Sequence, residues 1–341
     1  MPTVVTSSIG TTGRDYSTWQ SWEDDIPADL VAADVQHVGE GFNDSEFTAA
    51  GVVLNVGGHT TDATRNIIAT TGAGQSFRDH ANKATNPLRY NAAVGVALRK
   101  TGNYNATIQL NTGSTFTVIK NLQVKNDGSG LAIESAVAVR HDIDSCITES
   151  ASAPVILLGN AATVINTLAM LRLSASGYGI SWSYPASGAL IAGCTVVRPS
   201  GLTAAAAGVQ ANSSNLTIKN TAVFGFADFA SGANNVGDFN GSDVATNIPG
   251  GNSNGALVYA DQFQDEGNTT PDFRALESGG LKFGTPDATN TPDDIIGTTR
   301  DATTPYVGAW EVPGGGGGGG FIHQPDKVGG KTGGGKTGGK Q

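Results

Sequence analysis

Residues 330–337 read Gly330-Lys331-Thr332-Gly333-Gly334-Gly335-Lys336-Thr337, the spacing with which a glycine-rich loop and one lysine cradle phosphates. Such a loop works only between a strand and a helix whose N-terminus meets the anion. Here it lies in low-complexity Gly/Lys/Thr sequence and is followed by Gly338-Gly339-Lys340-Gln341, so no nucleotide or other cofactor is expected. The histidines, His37, His59, His80, His141 and His323, show no metal-ligand spacing. Arg78-Asp79-His80 and Arg140-His141-Asp142 read as exposed polar loop or strand edge. With only Cys146 and Cys194 as thiols, no zinc site and no other metal ligand is expected.

The elements that would position any chemistry are set by a repeat. Ile119-Lys-Asn-Leu122, Ile143-Asp-Ser-Cys146, Ile165-Asn-Thr-Leu168, Ile191-Ala-Gly-Cys194 and Ile218-Lys-Asn-Thr221 recur after 24, 22, 26 and 27 residues. A second short apolar run, marked by Ile108, Ile133, Val155, Ile180 and Val209, precedes each copy by 9 to 11 residues. Periods of this size mean a solenoid, in which each coil buries its apolar side only by stacking on its neighbours. Short strands broken by Gly, Asn, Ser and Pro, without Leu at fixed offsets or long amphipathic runs, predict a parallel β-helix with equivalent residues about 4.8 Å apart along the axis. Cys146 and Cys194 then share one interior position two coils apart, roughly 9–10 Å, too far for a disulfide. They are expected as free, buried thiols.

Polysaccharide-cleaving sites on such a scaffold need carboxylates on adjacent coils. The positions after the leading Ile read Lys120, Asp144, Asn166, Ala192 and Lys219, and those before it Val118, Asp142, Val164, Leu190 and Thr217. No acidic pair recurs on adjacent coils, and no catalytic residue is assigned. Lys120 over Asp144 is expected as a surface ion pair worth about 0–1 kcal/mol.

Residues 1–50 read as an N-terminal cap, 51–245 as the β-helix, 246–312 as a segment closing the last coil and 313–341 as a tail. In the cap, Ser17 or Thr18 should start a short helix carrying Trp19 and Trp22 on one face. The chain has 341 residues, 48 of them Gly, 15% charged residues and a net charge of −10. Lys327, Lys331, Lys336 and Lys340 against Asp326 give the tail +3, leaving −13 for residues 1–312. An acidic body disfavours nucleic acid and anionic membrane, and no run approaches the roughly 18 apolar residues of a membrane span. Met1-Pro2-Thr3-Val4-Val5 lacks a basic region followed by an apolar core, so cytoplasmic synthesis without export is expected. The tail, with the run Gly314 to Gly320, cannot fold alone. It is expected to dock on an acidic partner through Lys327, Lys331, Lys336 and Lys340, with Phe321 and Ile322 as apolar anchor.

Ile296-Gly-Thr-Thr-Arg300 followed by Tyr306-Val-Gly-Ala-Trp-Glu311 resembles an ending common among right-handed parallel β-helix proteins, and the opening from Ile9 to Leu30 is similar to that of bacteriophage structural proteins of this kind. The resemblance covers about residues 1–312 and carries no catalytic residue. It implies a right-handed all-β helix, threefold self-association and a place in a virion, as a capsid decoration protein or head fibre bound to the major capsid protein or a tail component. A tailspike or tail fibre that binds or degrades host polysaccharide is the alternative, and a surface adhesin the second.

Overall fold

The computed structural model describes residues 1–313 apart from 112–115, 136–139, 153, 160, 174–176, 183–187, 212–215 and 233–234. The tail residues Phe321, Ile322, Lys327, Lys331, Lys336 and Lys340, and the phosphate-loop match, therefore lie outside the described residues.

The described chain is mostly β, 39% strand and 4% helix, with three parallel sheets. A nine-stranded sheet runs from Thr3–Ile9 to Val236–Asp238, an eight-stranded sheet from Phe47–Ala49 to Gly241–Ser242, and a seven-stranded sheet from Leu54–Val56 to Phe226–Ser231. Through the repeat region successive strands visit the three sheets in turn, so the chain forms a three-faced solenoid. Its core rows are in register: Ala69, Ile119, Ile143, Val164, Ile191 and Ile218 on the first face, and Leu54, Ile108, Ile133, Ile156, Ile180 and Val209 on the third. All twelve are fully buried.

Two assigned positions are corrected by one residue. Val164, not Ile165, continues the interior row, and Ile156, not Val155, continues the other. Thr167 rather than Leu168 then stands between Cys146 and Cys194. A threonine is tolerated there because its hydroxyl donates to the Ile165 carbonyl at 2.8 Å and accepts from the Cys146 N–H at 3.3 Å. Both cysteines are free and buried, as the spacing requires.

Between the first and second faces five successive coils turn on one left-handed residue, Asn121, Ser145, Asn166, Gly193 and Asn220, with φ of 61°, 53°, 47°, 61° and 48°, and the last coil turns on Phe239 at 55°. Asn, Ser and Gly at this corner fit a conformation that costs β-branched and bulky side chains most. The asparagines at this corner are turn residues aligned along the stack.

Helix α1 (Trp19–Glu23) starts at Thr18, whose side chain accepts from the Ser21 N–H at 3.0 Å. Trp19 and Trp22 cross edge to face at 5.8 Å and plug the open first coil. Gly39 and Gly41 make room for them; a Cβ at either would lie 2.7 and 2.6 Å from the Trp22 and Trp19 rings. Gln20 and Glu23 accept the Asn55 and Gly57 N–H groups at 2.9 and 3.0 Å, saturating the free edge beside Leu54–Val56. A second short helix, α2 (Leu30–Ala33), buries Leu30 beside it. The stack itself begins at Thr3, so residues 1–50 contain the first strands as well as the cap.

The closing segment departs from expectation. Residues 244–255 cross the far end, with Ile248 on the core and the Asn240 amide donating to the Ile218 and Pro249 carbonyls at 3.0 and 3.2 Å. The chain then runs back along the outer face of the eight-stranded sheet instead of sealing the last coil. Phe263, Phe273, Leu281, Ile295, Tyr306 and Trp310 cover outward Ile147, Leu168, Met170, Val197 and Phe224 as a second apolar core. The physical reason is visible in that sheet: from Ile147 and Leu168 through Met170 and Val197 to Phe224 its outward side chains are apolar and need a cover.

Candidate functional site

The resembling ending is a polar knot that fastens this cover to the turn column. Arg300, buried, donates to the Tyr306 and Gly308 carbonyls at 2.9 and 2.7 Å and to Asn166 Oδ1 at 3.2 Å, and lies 3.6 Å from Glu311. Glu311 accepts the Tyr306 N–H at 2.9 Å, and Asp294 accepts those of Glu311 and Thr298 at 3.0 and 2.7 Å. Burial raises the carboxyls of Asp294 and Glu311 above their ordinary values and lowers Arg300. Gly193 is required where the guanidinium rests, since a Cβ would come within 3.0 Å of it. Arg78 does the same from the other side, donating to Asn121 and Ser145 at 3.0 and 3.2 Å. These groups bind one another and serve the fold.

An open charged surface lies where the cover stops. Six residues after each leading core residue, the outward row of the eight-stranded sheet reads Lys125, Glu149, Met170, Val197 and Phe224, with Arg99 before it. The apolar half is roofed by the closing segment, and the charged half is not. Glu149, 3% exposed, sits between Lys125 Nζ and Arg172 Nη1, each at 3.1 Å. Lys125 also reaches Asp127 at 3.2 Å, and Arg99 joins Asp127 at 2.5 Å and Glu46 at 3.6 Å. Arg172 is anchored on the Asn268 carbonyl at 2.8 Å. Tyr90 donates its hydroxyl to Glu46 at 2.6 Å, and burial together with that bond raises its ionisation above the usual phenol range. Loop residues Arg89–Asn91 on one side and Thr269–Pro271 on the other wall a cleft of about 300 Å³ over this row. Glu149 and Asp127 each lie against a cation.

The remaining sequence readings are placed as follows. Lys120 and Asp144 pair at 2.8 Å. His80 accepts the Asn82 N–H at 3.2 Å within its loop. His141 corrects the exposed-edge reading: two residues before inward Ile143, it shares the interior face, is fully buried and has no partner on either ring nitrogen among the described residues. His59, not singled out from sequence, has both ring nitrogens against acceptors, the Pro27 carbonyl at 3.0 Å and Glu23 at 2.9 Å. Among the described residues no group of His, Cys, Asp or Glu could hold a metal ion, and no helix is long and apolar enough to cross a membrane. Compared with protein-family models, curated proteins and solved structures, the chain finds no match.

Proposed function

We propose that the protein is a bacteriophage virion component, a decoration protein or head fibre attached through its tail to the major capsid protein or a tail component. The observation that carries this reading is that the body is closed at both ends while the chain leaves it from the flank. Val312, one residue before the end of the described chain, packs on the cover's core along the outer side of the eight-stranded sheet. A tail leaving there would hold the body against a partner lengthwise, its lysines meeting an acidic surface and its glycines following a crevice closely. We take the coil as right-handed, the hand of about 98% of parallel crossovers. Val38, Ile68 and Val118 form an in-register, half-buried apolar row on the outside of the nine-stranded sheet, and this flat face is the proposed contact of a homotrimer.

The test is incorporation. Protein lacking residues 313–341 should keep its β spectrum and be absent from particles that take up the full chain. Normal incorporation of the truncated protein, or absence of the full chain from purified particles, would overturn the proposal. A second reading, a tail fibre recognising host polysaccharide, is favoured by the cleft over Lys125, Glu149 and Arg172.

A further inference from the structure

Around that cleft the charges do not balance. Arg99, Lys125 and Arg172 are matched by Glu46, Asp127 and Glu149 through the contacts described above. Arg89 is the fourth cation. It is half-buried, lines the cleft, and has no side-chain hydrogen-bond or ion-pair partner among the described residues. An unmatched guanidinium in a recess is unusual on a body carrying a large negative charge, where carboxylates are the commoner neighbour. Desolvating it without a partner costs free energy that a bound anion would return, and its fork of donors matches a carboxylate's two oxygens.

The rest of the wall says what the anion is attached to. Asn91, Thr269 and Thr270 offer neutral donors and acceptors, and the half-buried Tyr90 offers part of a ring, with Lys125 Nζ 5.5 Å from its centre. The floor is a side-chain face of a sheet already paired on both sides, so it offers no backbone edge to which a peptide strand could add. The volume, about 300 Å³, is at the small end of ligand sites, room for a sugar unit or two and not for a folded partner. We propose that this cleft binds a carboxylate-bearing sugar unit of an acidic glycan, with Arg89 on the carboxylate and Lys125 and Arg172 flanking it. The site rests on the cleft alone, so glycan binding and particle incorporation can fail separately.

The experiment is titration calorimetry of the full chain with trimers of glucuronate, galacturonate and mannuronate, beside neutral maltotriose, inorganic phosphate and a triglutamate peptide. At least one uronate trimer should bind, maltotriose should not, and Arg89→Ala should weaken binding by about tenfold or more, the loss of one charge-assisted pair. Because the Arg89 side chain makes no hydrogen bond or ion pair among the described residues, Arg89→Ala should leave the melting temperature within a few degrees of the parent's. Lys120→Ala, a cation removed from another face, should bind as the parent does. Silence from all three uronates, binding of phosphate or triglutamate as tight as the best uronate, or equal losses in the two variants would each overturn the proposal.

Discussion

Replacing Arg300 by Met should release the cover from the solenoid. The change removes donors to the Asp293, Tyr306 and Gly308 carbonyls and to Asn166, at 3.3, 2.9, 2.7 and 3.2 Å, and takes the cation from buried Glu311. Breaking a buried pair by deleting one partner costs about 3–5 kcal/mol, and each carbonyl left dry adds roughly 1–3 kcal/mol. Water reaching a loosened segment recovers part of this, so a loss of about 4 kcal/mol is expected. In urea the midpoint should fall by roughly 1–2 M. Hydrogen exchange should localise the damage, with amides of residues 283–312 losing protection at urea concentrations where Ile143 and Ile191 keep theirs. Adding Glu311→Gln to Arg300→Met should restore part of the loss, because the stranded carboxylate is then gone. A loss below about 1 kcal/mol, or strict additivity of the two changes, would refute the knot as the fastening.

Three further outcomes follow from the buried titratable groups. His59 donates from both ring nitrogens, which holds its pKa above the ordinary value; its stabilisation of α1 is full below about 6.5 and is lost as pH rises through the higher folded value. An NMR titration should find its midpoint above 6.5, and Glu23→Gln should bring it down. His141 is pushed down to about 4 by burial, so stability is lost as pH falls from about 6.5 towards that value, by roughly 3 kcal/mol. His141→Leu should flatten the acid limb of the stability profile, and an unchanged limb would count against the buried neutral ring. Burial pushes both thiols up to about 12; Cys146 and Cys194 should ignore a thiol reagent in the native state and both react on unfolding.

The solenoid was legible because interior Ile, Leu and Cys recur at one drifting period while the corner between them is mostly filled by Asn, Ser and Gly, residues at ease with positive φ. The reading slipped by a residue at Val164-Ile165 and at Thr167-Leu168 for one reason. Alternation marks the inside of a strand only when the outside is wet, and here Leu168 faces a second apolar core. For the same cause the sequence points to an end plug for the closing segment: nothing local in Ile296 to Glu311 says which surface it covers. The charged row was within reach, since Lys125 and Glu149 lie six residues beyond Ile119 and Ile143, but only the corner-flanking positions had been compared. Arg89 and Glu46 come from loops without a repeat, and only folding brings them beside that row.

A stack of coils held by nearest-neighbour contacts alone would open from its ends, one turn at a time. The return path of the closing segment changes that. Arg300 reaches Asn166 and Asn220 accepts the Thr285 N–H at 2.9 Å, while the loop carrying Arg78, tied to the cover by Lys83 Nζ on the Ile296 carbonyl at 3.1 Å, reaches Asn121 and Ser145, so cover and loop together grip turns far apart along the axis. Fraying any coil under it means lifting the whole cover, which gives a repetitive rod the all-or-none unfolding of a compact domain. It also fixes the number of coils. A turn gained or lost in the middle would put every later anchor about 4.8 Å out of step, so this rod can change length only if its cover changes with it.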